Sequence, residues 1–120
     1  MNKTTPAQIY ASLNKTSTRL HTALGLEEFK KIVSGIMTEE KFRPANYKGL
    51  PSWVRGSSFI SIAQYLHFTY DEGWVSIDAW LVDPTRFREV PLGGLPNLPK
   101  FKLRKTIRRL EEALSDASNS

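Results

Sequence analysis

The sequence predicts an α+β fold with one or two N-terminal helices, an antiparallel meander of three or four strands, and a C-terminal amphipathic helix packed on the sheet. Two patterns carry this prediction. Between Phe59 and Val82, apolar residues occupy nearly every second position on either side of a turn that contains glycine, which is typical of a β-hairpin. From Lys100 onwards, apolar residues recur at the spacing of a helix with one buried face.

The turn of the predicted hairpin is Glu72-Gly73, because Gly73 can adopt the positive φ of a tight turn at little steric cost. A two-residue loop pairs Phe68 with Ile77 and brings the apolar residues of both strands to one face. A three-residue loop would pair Phe68 with Ser76 and mix apolar and polar residues on both faces. Since a shift of one residue inverts every side chain, we predict the two-residue register.

The second face of this hairpin carries aromatic and polar residues. The predicted register places Tyr65 opposite Trp80, His67 opposite Asp78, and Thr69 opposite Ser76. The apolar face is needed for the core, so we expect any function of the sheet to lie on this second face. The sequence leaves open whether the face is exposed, covered by the chain itself, or closed by a second copy.

The N-terminal segment predicts a helix that starts at Thr5-Pro6, an N-cap followed by proline at the first helical position. Its apolar face is Ile9, Leu13, Leu20 and Leu24, interrupted by the poor helix formers at 16–18. Gly25 ends this helix, and His21 is predicted to lie on its surface. A second helix is predicted over 26–36, where apolar residues recur at helical spacing.

Residues 42–56 predict packed, irregular chain with short edge strands, because prolines and glycines interrupt the aromatic and aliphatic residues. Trp53 to Arg55 can form one such short strand. After the hairpin, Asp83 to Arg86 is typical of a type I turn, and Phe87 to Val90 can return as a further antiparallel strand.

The final helix is predicted to have Pro99 as its first residue, after a loop over 92–99. Its apolar stripe is Leu103, Ile107, Leu110 and Leu114. Six of the ten residues from Lys100 to Arg109 are basic and none is acidic, so more than the net charge of +5 is concentrated there. Lys102, Lys105 and Arg109 are the expected contacts to phosphate groups.

A chain of 120 residues predicts a single domain over 1–120, with frayed ends at 1–4 and 116–120. The absence of cysteine excludes disulfides, a thiolate nucleophile and a cysteine-ligated zinc site. Two histidines without further ligand spacing predict no metal site, and we expect no cofactor. No signal peptide or membrane span is apparent in this sequence, which predicts a cytoplasmic protein without a membrane partner.

Three functions are compatible with these patterns. The main hypothesis is a small non-enzymatic binding or regulatory domain, in which Tyr65 and Trp80 contact a protein partner or a second copy. The alternative is nucleic-acid binding by the basic helix, with Tyr65, Trp74 and Trp80 as stacking platforms. The least favoured is a small hydrolase that uses His67 and Asp78, with Ser76 or Thr69 as the nucleophile. Opposed polar residues are common on the solvated face of a hairpin, which weakens this third hypothesis.

Overall fold

The computed structural model describes residues 5–56, 62–83, 89–93 and 97–118. The predicted α+β class, with an antiparallel sheet and a C-terminal helix, is confirmed. The elements in chain order are α1 (Pro6–Ser12), β1 (Thr16–His21), α2 (Leu26–Glu39), β2 (Arg43–Tyr47), β3 (Leu50–Arg55), β4 (Ala63–Asp71), β5 (Trp74–Val82), β6 (Glu89–Val90) and α3 (Leu98–Ser118). The described helices include none that is long and apolar enough to cross a membrane.

The sheet is larger than the predicted meander of three or four strands. Consecutive strands β2 to β5 do form a meander, in the order β5-β4-β3-β2. The strand β1 extends the sheet on the other side of β5, antiparallel to it, from Thr16 opposite Ala79 to His21 opposite Trp74. Further along the same edge of β5, β6 pairs with Leu81 and Val82. The central strand β5 therefore has β4 on one side and both β1 and β6 on the other.

The central hairpin has the predicted register. Phe68 lies opposite Ile77, Tyr65 opposite Trp80, and His67 opposite Asp78. Glu72 and Gly73 form the two-residue loop with φ angles of 48° and 89°, as a type I′ turn requires. The carbonyl of Gly73 accepts a hydrogen bond from the backbone N–H of Thr22 at 2.8 Å, which ties the turn to the end of β1.

The predicted first helix starts where expected but is much shorter. Thr5 caps it, and its hydroxyl accepts from the Gln8 backbone while the Gln8 side chain accepts from the Thr5 backbone. The helix ends at Ser12, and 16–21 is a β-strand, so the prediction of a helix over this segment is wrong. The residues at 16–18 that interrupt the helical pattern suit a strand, and β5 provides the partner. His21 consequently lies in β1 and not on a helix.

Segment 42–56 is a regular hairpin, which corrects the prediction of irregular chain. All five residues of β2 pair with β3, and β3 also pairs with β4 from Trp53 to Arg55. Lys48 and Gly49, with φ angles of 51° and 92°, form the turn. Pro44 lies on the edge strand β2, where the missing N–H is tolerated.

The helices α2 and α3 cover the apolar face of the sheet. The predicted stripe of α3 is buried: Leu103, Ile107, Leu110 and Leu114. From α2, the residues buried against the sheet are Phe29, Val33, Ile36 and Met37. The helix α3 starts one residue before Pro99, and Asn97 caps it by accepting from the Lys100 backbone N–H at 2.9 Å. Of the turn predicted at 83–86, only Asp83 is among the described residues, and Phe87 lies outside them.

Candidate functional site

The face of the sheet that carries Tyr65 and Trp80 is covered by α1. Trp80 has no exposed surface. It belongs to a buried apolar cluster that includes Leu13, the residue that follows α1, and Ile9 of α1 packs against this cluster. The Tyr65 ring stacks on Trp80 with centroids 5.5 Å apart. Trp80 is thus already buried within the folded chain, so it cannot serve as an open contact patch in this conformation.

Asp78 lies at the bottom of a polar cluster on the same face. It is fully buried, and its Oδ1 accepts hydrogen bonds from Ser17 Oγ at 2.6 Å and Ser76 Oγ at 3.3 Å. Tyr10 of α1 lies close by. Burial raises the pKa of the Tyr10 phenol, and the negative charge of Asp78 raises it further.

His67 does not form a catalytic relay with Asp78, although the two are opposite in the register. Its Nδ1 lies 2.7 Å from the carbonyl oxygen of Pro51, so this nitrogen carries a hydrogen and donates it to β3. A serine hydrolase uses the same nitrogen to donate to the carboxylate. The sheet therefore brings the hydrolase residues together without the hydrogen bond that their chemistry needs.

The basic residues of α3 divide into two groups. Three of them are held by the rest of the chain: Lys100 Nζ donates to the Gly93 carbonyl at 2.8 Å, Arg104 Nη2 donates to the Leu92 carbonyl at 2.9 Å, and Arg109 pairs with Glu39 and Glu40. The other three are Lys102, Lys105 and Arg108, which are exposed and form no salt bridge with another described residue. These three are the cations available for a partner.

Two exposed apolar side chains lie on the same side of α3 as the available cations. Leu98 is 64% exposed and Phe101 is 60% exposed. Lys105 Nζ lies 5.9 Å from the centroid of the Phe101 ring. We call the surface formed by these five residues the outer face of α3: Leu98, Phe101, Lys102, Lys105 and Arg108. It combines positive charge with an exposed aromatic ring.

A cleft of about 670 Å³ adjoins the outer face, between the end of α2, the strand β3 and the first turns of α3. Its charged lining consists of Glu39, Glu40, Lys41, Arg55, Lys102 and Lys105. Leu98, Pro99 and Ile62 form an apolar part of the wall. Lys102, Lys105 and Leu98 belong to both surfaces, so the cleft and the outer face are continuous.

Arg55 is fixed at the cleft by contacts on several sides. Its Nε and Nη2 donate to Gln64 Oε1 at 3.1 and 2.6 Å, and its Nη1 donates to the Glu40 carbonyl at 3.2 Å. The guanidinium lies 4.5 Å from the ring centroid of Phe42. Burial lowers the pKa of Arg55, and the charge of Glu40 opposes that effect.

Lys41 enters the cleft from a strained backbone position. Its φ is 68°. Lys41 follows Glu40, the C-cap of α2, and this position of the Schellman motif is usually occupied by glycine. The Lys41 N–H donates to the Thr38 carbonyl, and the Phe42 N–H donates to the Met37 carbonyl. These two hydrogen bonds satisfy backbone carbonyl groups at the end of α2. The same turn requires Lys41 to adopt the left-handed conformation, which favours glycine.

A second exposed aromatic lies at the open end of the sheet face that α1 covers. Trp74 is 51% exposed. The His21 ring meets it edge-on at 5.0 Å, and the Arg19 guanidinium lies 5.5 Å from its centroid. A separate apolar groove of about 310 Å³ runs between α2 and the sheet beside Leu26 and Trp53.

Of the predicted site residues, the structure places Lys102 and Lys105 at the cleft and buries Trp80 and Asp78 beneath α1. Sequence reasoning missed Lys41, Arg55 and Phe101. The position of Phe101 opposite the apolar stripe of α3 was a usable signal, because an aromatic residue there must face solvent. Described residues contain no group of three or more side chains suited to a metal ion.

Comparison of the chain with protein-family models, with curated proteins and with solved structures finds no match.

Proposed function

We propose that this chain is a non-enzymatic binding domain that holds single-stranded nucleic acid on the outer face of α3. The observation that carries the proposal is the exposed ring of Phe101 among Lys102 and Lys105. An exposed aromatic ring offers a base a stacking surface, and neighbouring cations attract the phosphates on either side of that base. The expected cytoplasmic location stays a prediction.

The division of charge on α3 supports this proposal. Lys100, Arg104 and Arg109 each have partners within the chain, whereas the three remaining cations lie on one side of the helix with Phe101. Each phosphate neutralised on a single strand changes the salt dependence of log K by about 0.7. Three contacts therefore predict a contribution of about 2 to that slope.

The test is a fluorescence anisotropy titration of a labelled single-stranded oligonucleotide at several salt concentrations. A variant with Lys102, Lys105 and Arg108 all replaced by Ala is expected to reduce the salt slope by about 2. Phe101→Ala is expected to weaken binding by about 1–3 kcal/mol at each salt concentration with the slope unchanged. Lys31→Ala, which removes an exposed lysine of α2, is the control for a general effect of charge. Absence of binding by the unaltered protein at low salt contradicts the proposal.

A protein partner is the second candidate, favoured by the exposure of Trp74. Trp and Arg are frequent at the centres of protein interfaces, and here Arg19 lies against the Trp74 ring. The expected partner is a second copy of the chain. Sedimentation velocity over a range of concentrations tests it: Trp74→Ala is expected to abolish a dimer, whereas Phe101→Ala, which removes an exposed aromatic of α3, leaves it intact. A protein that remains monomeric at high concentration contradicts this candidate.

A further inference from the structure

We propose that the cleft beside the outer face of α3 is a binding site for a phosphate monoester, and that it receives the terminal phosphate of the bound strand. This inference rests on the proposed function, because the strand that supplies the phosphate is the nucleic acid bound on the outer face of α3. A free nucleotide carries the same phosphate monoester as the end of a strand, and the binding experiment distinguishes these two sources of the phosphate.

The charge of the cleft favours an anion. Four cations line it, against the two carboxylates of Glu39 and Glu40. Both carboxylates face Arg109, and Glu40 Oε1 also accepts from the Thr106 hydroxyl at 3.3 Å. A terminal phosphate carries a charge of about −1.5 to −2 near neutral pH, more than the single charge of a phosphate within the strand. Because its cations outnumber its carboxylates, the cleft should bind a terminal phosphate more tightly than a phosphate within the strand.

Arg55 provides a rigid donor at this site. Its hydrogen bonds to Gln64 and Glu40 use three of the five N–H groups of a guanidinium. These bonds and the Phe42 ring hold its plane in one orientation. A guanidinium whose orientation is already fixed loses little conformational freedom when it binds a phosphate.

Lys41 supplies the second argument. A glycine at this position would adopt a φ of 68° without steric cost, yet the chain has a lysine whose side chain lines the cleft. Backbone strain of this kind clusters at active sites and ligand-binding sites, so a lysine in place of glycine supports a role for its side chain here. Lys48 in the β2–β3 turn has the same kind of strained backbone, with a φ of 51°, but it does not line the cleft.

The size and position of the cleft fit a nucleotide at the end of a strand. Its volume of about 670 Å³ lies within the range of small-molecule sites. Leu98 and Pro99 form its apolar wall on the side of the outer face. A strand that stacks a base on Phe101 can thus place its terminal phosphate between Lys41 and Arg55, with Lys102 and Lys105 contacting both parts.

The test compares the binding of three versions of one short oligonucleotide: with a 5′-phosphate, with a 3′-phosphate and with neither. We expect a terminal phosphate at one end to tighten binding by about tenfold, the effect of one or two charged hydrogen bonds. Lys41→Gly is expected to remove this preference and to raise the thermal unfolding midpoint. Lys48→Gly relieves the same kind of backbone strain but also removes the pairing of Lys48 with Glu89, and it is expected to keep the preference.

The remaining outcomes separate this inference from the proposed function. Equal binding of all three oligonucleotides by the unaltered protein overturns the inference and leaves nucleic-acid binding in place. Binding of adenosine monophosphate that depends on Lys41, without binding of any oligonucleotide, supports the phosphate site and overturns the strand as its source. A Lys41→Gly variant that is more stable and keeps the full preference for a terminal phosphate overturns the role of Lys41.

Discussion

The phenol ring of Tyr65 lies flat on the indole of Trp80, with ring centroids 5.5 Å apart and an angle of 3° between the planes. Tyr47 meets both rings edge-on, and Trp80 has no exposed surface. Because this stack forms inside the folded chain, Trp80→Ala leaves a cavity. We expect it to lower the free energy of unfolding by about 3–5 kcal/mol, measured by urea denaturation.

The matched control for this prediction is Trp74→Ala, which removes the half-exposed tryptophan of the same strand. We expect it to change the free energy of unfolding by less than about 1 kcal/mol. A Trp80→Ala variant as stable as Trp74→Ala would show that α1 does not cover the face in solution.

Gly73 and Gly35 are expected to respond to alanine in opposite directions. A Cβ on Gly73 would lie 2.8 Å from the Thr22 carbonyl and 3.0 Å from His21 Nε2, at a φ of 89°. A Cβ on Gly35, within α2, meets no heavy atom within 4 Å. Gly73→Ala should therefore lower the stability by more than about 1 kcal/mol, whereas Gly35→Ala should raise it by about 0.5–1 kcal/mol. Thermal unfolding of both variants checks the two signs.

Alkaline pH is expected to destabilise the fold through Tyr47. Burial raises the pKa of the Tyr47 phenol above its ordinary value of 10.0, and so do the hydrogen bond to Glu89 and the charge of Glu89. Between the unfolded and the folded pKa, the folded state binds more protons than the unfolded state, so its stability falls as the pH rises. The contribution is complete below about pH 10 and is lost above it.

Urea denaturation at about pH 8 and about pH 11 measures this loss. Tyr47→Phe removes the titrating hydroxyl and should make the difference between the two pH values smaller. Tyr10 and Tyr65 also have a raised pKa, so part of the loss should remain in this variant. An unchanged pH dependence in Tyr47→Phe would exclude the phenol as its source.

Ile107 lies within the buried stripe of α3 and is 6% exposed. Its truncation to Ala removes apolar contacts with the core cluster between the helices and the sheet. We expect a loss of about 2–4 kcal/mol in the free energy of unfolding, measured by guanidinium denaturation. Arg108→Ala alters the next, exposed residue and should stay within about 0.5 kcal/mol of the unaltered protein. Equal denaturation midpoints for the two variants would show that Ile107 of α3 does not contribute to the core.

The β4–β5 hairpin could be predicted to the residue because alternation and turn chemistry act locally. A strict period of two, with Gly73 at the turn, leaves a single register in which one face is apolar. The stripe of α3 was predictable for the same reason. In both cases the information lies within about 20 consecutive residues of the sequence.

The segment at 16–21 could not be assigned in this way. Leu20 fits the spacing of a helix with Leu13 and Leu24 as well as it fits the inward side of a strand. The pairing with β5 decides between the two, and that strand is distant in the sequence. The hairpin of β2 and β3 was obscured by Pro44 and Pro51, which are compatible with pairing only at particular positions in a sheet.

The candidate site was only partly predictable. The basic residues of α3 were visible, but their division into held and available cations depends on the contacts of Lys100, Arg104 and Arg109. The cleft depends on how the end of α2 meets α3 in space. Lys41 and Arg55 gave no sequence signal strong enough to connect them with that helix.

The pairing of β1 with β5 constrains the order in which the chain can assemble. The partner of Thr16 lies roughly sixty positions later in the sequence, and closing such a long loop before any contact forms is slow. During synthesis, the residues of β1 leave the ribosome long before Trp74 and Val75 exist to receive them. The meander from β2 to β5, whose neighbours are adjacent in sequence, can form first. In that order, the N-terminal strand would dock on an edge that is already in place, and the same docking would bring α1 to the stacked rings.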